Sequence, residues 1–216
     1  MEPMPWDRDA PFVVGNVVRP ARRARKPQTG DLAVRFPYPY GAAEYFAPAA
    51  LVTQPDPDVS SFLLRDARDP HLLVCAVAPD PEDNARYRVT DARHRELGHI
   101  HRTPAHKRTI QHTWWIRQSG HPDIVAGYAW AKGTSKDVAS RGVSSVGRIV
   151  GGVVESAIFG PGDGGSGSTK QNTVTWRADD EVVMTSGYLE GVRAYRPATA
   201  WLDRRLAFAL AVLRQG

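Results

Sequence analysis

Thr199-Ala-Trp-Leu-Asp-Arg-Arg-Leu-Ala-Phe-Ala-Leu-Ala-Val-Leu-Arg214 stands almost at the end of the chain and reads as a helix. Thr199 is placed to cap it, Trp201 and Leu202 open it, and Asp203 falls in its first turn, where an acid complements the helix dipole. From Leu206 to Leu213 there is no polar residue, so the helix is apolar whichever way it turns. A helix apolar all round is enclosed, by protein or by membrane. Sixteen residues span roughly 24 Å at the helical rise, short of the ~30 Å hydrocarbon core, and Asp203, Arg204 and Arg205 shorten the apolar part further. The stretch therefore predicts a helix buried inside the protein, with Leu206, Phe208, Leu210 and Leu213 all covered, and no transmembrane segment. Its alanines make it slim enough to be surrounded on every side.

The 216 residues, 42% hydrophobic and 24% charged, suffice for one sizeable core. The formal net charge of +5 leans toward anionic partners, lipid surface or nucleic acid, without choosing between them. A lone cysteine, Cys75, lies within the apolar run Leu72-Leu-Val-Cys-Ala-Val77; it has no internal disulfide partner and reads as a small core residue. The first ten residues lack the charged start and apolar stretch of a secretory signal. These features predict a cytoplasmic protein, peripheral to a membrane if it meets one, and the excess of arginine over lysine suggests a GC-rich bacterial genome.

Up to about Val59 the chain is punctuated by proline, from Pro3 and Pro5 through Pro37, Pro39 and Pro48 to Pro55 and Pro57. Proline at that spacing argues against long helices and central strands. Residues 1–59 are accordingly expected to be a partly disordered N-terminal extension, and residues 60–216 the folded domain. The extension carries Arg19-Pro-Ala-Arg-Arg-Ala-Arg-Lys26, whose Arg19, Arg22, Arg23, Arg25 and Lys26 are candidate ligands for phosphate groups or else a solvated linker. Phe36-Pro-Tyr-Pro-Tyr-Gly41 has the composition of an extended strap or polyproline-type ligand.

Beyond Ser60 short strands alternate with turn residues at roughly ten-residue spacing, the pattern of a sandwich or barrel. Strands are expected at 61–66, 71–77, 86–91, 96–102, 109–117, 124–131, 146–149, 153–159, 173–177, 181–186 and 188–195. Arg68-Asp-Pro70, Ala92-Arg-His-Arg95 and Ser119-Gly-His-Pro122 supply hairpin turns. An antiparallel meander of this size leaves two unpaired edges unless it closes, and a closed sheet needs a filling. The C-terminal helix is that filling, giving an all-β closed antiparallel barrel around a buried apolar helix.

Tyr87-Arg-Val-Thr-Asp91, a short turn, and Leu97-Gly98-His99-Ile100-His101-Arg102 form a strand ending in Asp, then Gly in a strand ending in Arg. This resembles the repeated hairpin of the tubby-like superfamily, which includes phospholipid scramblases and LURP-one-related proteins. Phe62 to Val77 resembles its preceding hairpin, and the final helix resembles the one that threads a twelve-stranded barrel in that family. The likeness spans residues 60 to 214. It implies a binding or membrane-associated scaffold without a catalytic centre. The cysteine-rich lipidated stretch and acidic calcium-binding segment of scramblases are missing, since Tyr195-Arg-Pro-Ala-Thr-Ala200 stands where the acids belong. Tubby's phosphoinositide-binding basic residues have no position-by-position match, so no site residue is carried over.

Other chemistry is weaker. His99 and His101 share one face of a strand, with His94 and His106 near in sequence, but no carboxylate or cysteine completes a metal set and Ile100 as the inward residue leaves the histidines in solvent. Gly160-Pro-Gly-Asp-Gly-Gly-Ser-Gly-Ser-Thr-Lys170 approaches a phosphate loop but has Ser168 where the lysine belongs, and reads as a flexible hairpin loop. No Gly-x-Ser-x-Gly elbow occurs. Adjacent Trp114 and Trp115 face opposite ways in a strand, leaving one for stacking on the outside or both for packing. The sequence thus predicts no catalytic residue, no metal and no cofactor. It predicts a binding domain for an anionic phospholipid surface or a protein partner, with nucleic acid as the alternative.

Overall fold

The computed structural model describes residues 2–19, 28–38, 45–54, 61–103, 114–128, 173–189 and 192–215. Its strands are β1 (Phe12–Arg19), β2 (Gln28–Tyr38), β3 (Tyr45–Thr53), β4 (Phe62–Asp66), β5 (Leu73–Pro79), β6 (Arg86–Thr90), β7 (Glu96–Arg102), β8 (Trp114–Gln118), β9 (Ile124–Tyr128), β10 (Val174–Ala178), β11 (Glu181–Leu189) and β12 (Val192–Pro197), followed by a single described helix, α1 (Arg204–Leu213). Each strand pairs antiparallel with its neighbour in sequence, and β1 pairs with β12 to close a barrel of twelve strands. Closure removes the edges that an open meander would present to other chains. Register shifts between β1 and β2, β2 and β3, β4 and β5, β6 and β7, and β10 and β11 add the local twist that bends a sheet into a ring. Among the described residues no helix is long and apolar enough to cross a membrane.

The barrel is wound on α1. Leu206, Ala207, Phe208, Ala209, Leu210 and Ala211 are each fully buried and Val212 nearly so, while Leu213 is only half-buried. Phe208 meets Phe12 of β1 edge-on at 4.7 Å and Phe36 of β2 at 6.2 Å, and the Phe12 ring stacks in turn on Tyr195 of β12. The helix thus touches the two strands whose pairing closes the ring. On its other side Leu206 lies against β7 at Gly98, whose φ is +154°. A Cβ there would sit 2.2 Å from the Arg117 carbonyl oxygen and 3.2 Å from Leu206 Cδ1, so this position excludes every side chain. Cys75 is buried in the same core, and burial pushes its thiol up to about 12, which leaves it inert.

The helix starts later than its sequence suggests. Asp203, not Thr199, is the N-cap, its carboxylate accepting from the Arg205 N–H at 2.9 Å. Gln118 at the end of β8 holds the chain extended just before it, donating to the Trp201 carbonyl at 2.7 Å and accepting from the Asp203 N–H at 2.9 Å. These two bonds satisfy backbone groups that a longer helix would have bonded internally.

The division at residue 59 is also corrected. β1, β2 and β3 lie inside residues 1–59, and they are barrel strands between β12 and β4. β1 contains no proline. Pro37 sits one residue from the end of β2, and Pro48 sits beside the register shift between β2 and β3, where the ladder is interrupted anyway. Proline is tolerated in a sheet at such places. The expected strands at 146–149 and 153–159 and the loop 160–170 lie outside the described residues.

One device pins four turns. Asp66, Asp80, Asp91 and Asp203 each accept the backbone N–H two residues on and also bind an arginine guanidinium, of Arg68, Arg86, Arg95 and Arg205 respectively. In the β6–β7 turn Asp91 takes the N–H groups of both Arg93 and Arg95, which lets His94 adopt a φ of 59°. Burial pushes the Asp91 carboxyl up, but these bonds outweigh it and hold the group at about 2.

Two substitutions measure the plug. Phe208→Ala should cost about 3–5 kcal/mol in a denaturant melt, because a closed ring collapses little around a cavity. Gly98→Ala should cost roughly 1–3 kcal/mol from overpacking alone. A melt indistinguishable from that of the native chain for either variant contradicts this packing.

Candidate functional site

The barrel interior is filled by α1, so binding surface must be sought on the outside or at the ends. On β6, β7 and β8 the residues Tyr87, Val89, Ile100 and Ile116 are buried, and the alternation therefore sets Arg86, Arg88, His99, His101, Trp115 and Arg117 on the outer face. Strand register sorts them into two rows. Arg86, His101, Trp115 and Val125 follow one another across β6 to β9, and Ala78, Arg88, His99 and Arg117 across β5 to β8. A third row, Ala76, Thr90 and Glu96, lies nearer the β6–β7 turn.

The small side chains of Ala76 and Ala78 leave a shallow groove of about 370 Å³ walled by Arg88, Thr90, His94 and Glu96. Arg88 is exposed and has no side-chain partner among the described residues. Its neighbours are spoken for: Asp80 binds Arg86 at 2.8 Å, and Asp123 binds Arg117 at 2.9 Å. The hydrogen bonds from Arg117 hold the Asp123 carboxyl below its usual range and raise the Arg117 guanidinium above its own. Between Arg86 and Arg102 there are five arginines and two acids, Asp91 and Glu96, and Asp91 is committed to its turn.

His101 and Trp115 are stacked, with ring centroids 3.5 Å apart and planes within 9°. The Arg117 guanidinium lies 5.1 Å from the same indole, a cation–π contact. Burial, reinforced by the positive fields of Arg117, His99 and Arg86, lowers the His101 imidazole to about 4, so it is neutral at pH 7. Its Nε2 is buried without a hydrogen-bond partner among the described residues. The histidines do face outward as Ile100 turns inward, but they are not free in solvent: both are half-covered. Trp114 goes inward, 7% exposed, and only Trp115 is outside.

The histidine pair gains no third ligand here. His99 approaches Glu96 at 3.5 Å, the His99 and His101 rings are 6.2 Å apart, and among the described residues no three His, Cys, Asp or Glu side chains gather as a metal set requires. His106 lies outside the described residues. So do Arg22, Arg23, Arg25 and Lys26, and the Arg19 side chain, although the Arg19 backbone ends β1 opposite Gln28. The groove was missed in the sequence; its traces there are the Ala-Val-Ala alternation at 76–78 and the Arg-Tyr-Arg alternation at 86–88. No protein-family model matches the chain, and comparison with curated proteins and with solved structures finds no match.

The His101 environment sets a pH dependence. Its folded value lies below the unfolded 6.5, so the unfolded chain binds the proton first, and stability present above pH 6.5 is lost as pH falls toward 4. The aspartates held low, Asp66, Asp80, Asp91 and Asp123, act only below about pH 4. Urea melts of the native chain should weaken between pH 6.5 and 4, and His101→Gln should flatten that slope. An equal slope in both proteins, or an NMR titration of His101 near 6.5, contradicts the assignment.

Proposed function

We propose that this chain is a non-enzymatic binding domain of the tubby-like or scramblase-like kind, cytoplasmic, which docks peripherally on an anionic phospholipid surface through the outer face of β5 to β8. The observation that carries the reading is Arg88: an exposed guanidinium, unpartnered among the described residues, at the wall of a groove it shares with Thr90, His94 and Glu96. The tubby-like assignment is supported by a twelve-stranded closed barrel around a C-terminal helix, the architecture that the family resemblance implies. Arg19, Arg22, Arg23, Arg25 and Lys26 belong to the same reading as further phosphate contacts. Arg19 ends β1, and the other four fall between β1 and β2 in the sequence.

Nucleic acid is the second reading, favoured by the outward Trp115. Base stacking needs an open indole face, however, and Trp115 is already engaged by His101 and Arg117. Lipid binding asks only for cations near the surface, each contributing about 1 kcal/mol and fading within a Debye length.

Vesicle flotation decides between them. The chain should float with vesicles containing phosphatidylserine or phosphatidylglycerol and not with neutral phosphatidylcholine, and binding should fall steeply with salt. Arg88→Ala should weaken it about fivefold, the equivalent of about 1 kcal/mol, and glutamine at the five basic positions from Arg19 to Lys26 should weaken it further. Equal binding to neutral vesicles, or salt-insensitive binding, overturns the lipid reading, and a gel shift with single-stranded RNA in its place establishes the alternative. A membrane-free partner retained through this face would identify a protein ligand instead.

A further inference from the structure

Six arginines among the described residues, Arg68, Arg86, Arg95, Arg117, Arg204 and Arg205, are each paired with an aspartate. Arg193 and Arg214 are among the arginines outside that set. The first is on β12 and the second caps the C-terminus of α1, and no carboxylate among the described residues pairs with either. Nη1 of Arg193, Nη1 of Arg214 and the hydroxyl of Tyr195 are all buried, and none has a hydrogen-bond partner among the described residues.

These three groups belong together. In the β11–β12 ladder Tyr188 pairs with Arg193 and Ser186 with Tyr195, so the four alternate onto one face of the sheet. That face is the inner one, because the Tyr195 ring is 0% exposed and stacked on Phe12, and Ser186 Oγ accepts from the Trp176 indole at 3.5 Å. Arg214 arrives from the helix, its guanidinium 5.3 Å from the Trp176 ring. Gln215, next to it, is tied to the Val14 carbonyl of β1 at 3.2 Å. Burial raises the Tyr195 phenol; Arg214, as a charge and as a donor that approaches the hydroxyl outside good hydrogen-bond geometry, and Arg193 as a charge pull it down.

Arginine stays charged at any working pH, and burying its N–H without an acceptor costs free energy, as does bringing two guanidiniums together without a counter-charge. An anion relieves both costs. Two full positive charges outweigh the half-charge of opposite sign at the helix C-terminus. Tyr188, which is 40% exposed, takes a 3.1 Å bond from the other nitrogen of Arg193 and lies under its guanidinium at 4.7 Å.

We infer that the end of the barrel where α1 terminates is a binding site for an oxyanion of the phosphate class, held by Arg193, Arg214 and the Tyr195 hydroxyl. Guanidinium forks match phosphate oxygens, and the phenol adds a neutral donor. The phosphate is either free or the headgroup of a phosphomonoester. This site is inside the barrel end and separate from the outer face around Arg88.

The test is titration calorimetry of the whole chain with inorganic phosphate and, separately, glycerol 3-phosphate, with sodium chloride at matched ionic strength as control. Saturable binding of either phosphate with no response to chloride is expected, and a preference between the two identifies the source. Arg193→Gln and Arg214→Gln should each weaken binding at least tenfold, and Tyr195→Phe severalfold. In phosphate-free buffer both glutamine variants should melt at or above the temperature of the native chain, because an uncompensated charge has been removed, so loss of binding is distinguishable from loss of fold. Their flotation with anionic vesicles should persist. Absence of saturable phosphate binding to the native chain, binding that survives in both glutamine variants, or glutamine variants that melt below the native chain in phosphate-free buffer overturns the proposal.

Discussion

A helix with no polar residue from Leu206 to Leu213 must be surrounded, and the rest of the molecule follows from that requirement. An isolated sheet can cover one side of such a helix; only a ring covers all of them. The ring in turn cannot stand empty at this size, because its inward side chains need partners at close-packed density. Phe208 shows how the two demands meet: it contacts Phe12 and Phe36 on β1 and β2, beside the seam where β1 joins β12. Gly98 shows the same constraint from the opposite wall, where β7 and Leu206 approach too closely for any Cβ.

A filled interior decides where function can lie. With the bore occupied, the described residues have two kinds of surface left, the outer face of the sheet and the ends of the ring. The outer face of β6 to β8 collects arginine because Arg86 and Arg88 alternate with buried residues along β6 and Arg117 follows Ile116 on β8, and the pleat delivers them to one side. The end near Arg214 collects cations for another reason: the helix that fills the barrel brings its own arginine to Arg193 and Tyr195. Elsewhere the fold spends its aspartates on arginine, at Asp66, Asp80, Asp91 and Asp203, so that turns are rigid and their charges satisfied. Arg88 on the outside, and Arg193 with Arg214 at the barrel end, have no aspartate among the described residues.

Much of the fold was legible in the sequence where local chemistry and global need agree. Asp66 and Asp91 end strands and also build the turns that follow, so the β4–β5 and β6–β7 hairpins are readable from residues alone. The helix was readable from its lack of polarity, but its start was not: the residue that sets it, Gln118, is 83 and 85 positions from its partners. β1 to β3 were misread as a tail because proline was weighed by frequency; its placement at a strand end and beside a register shift is visible only once the strands are paired. The candidate sites were legible in part. The alternation of His99 and His101 around Ile100 gave their outward direction, whereas the stack of His101 on Trp115 depends on β7–β8 register across an eleven-residue link, residues 103–113, that sequence does not fix. Arg193 and Arg214 both act on Tyr195 only once the helix lies inside the ring.

Hydrogen exchange on the native chain tests most directly whether helix and ring are one cooperative unit. Amides of Leu206 to Val212 should exchange only through global unfolding, with the same opening free energy and denaturant dependence as those of β1, β7 and β12. Helix amides that open with a smaller free energy while those strands stay protected would mean that the barrel stands without its filling, and would contradict the constraint from which the rest of the structure has been derived.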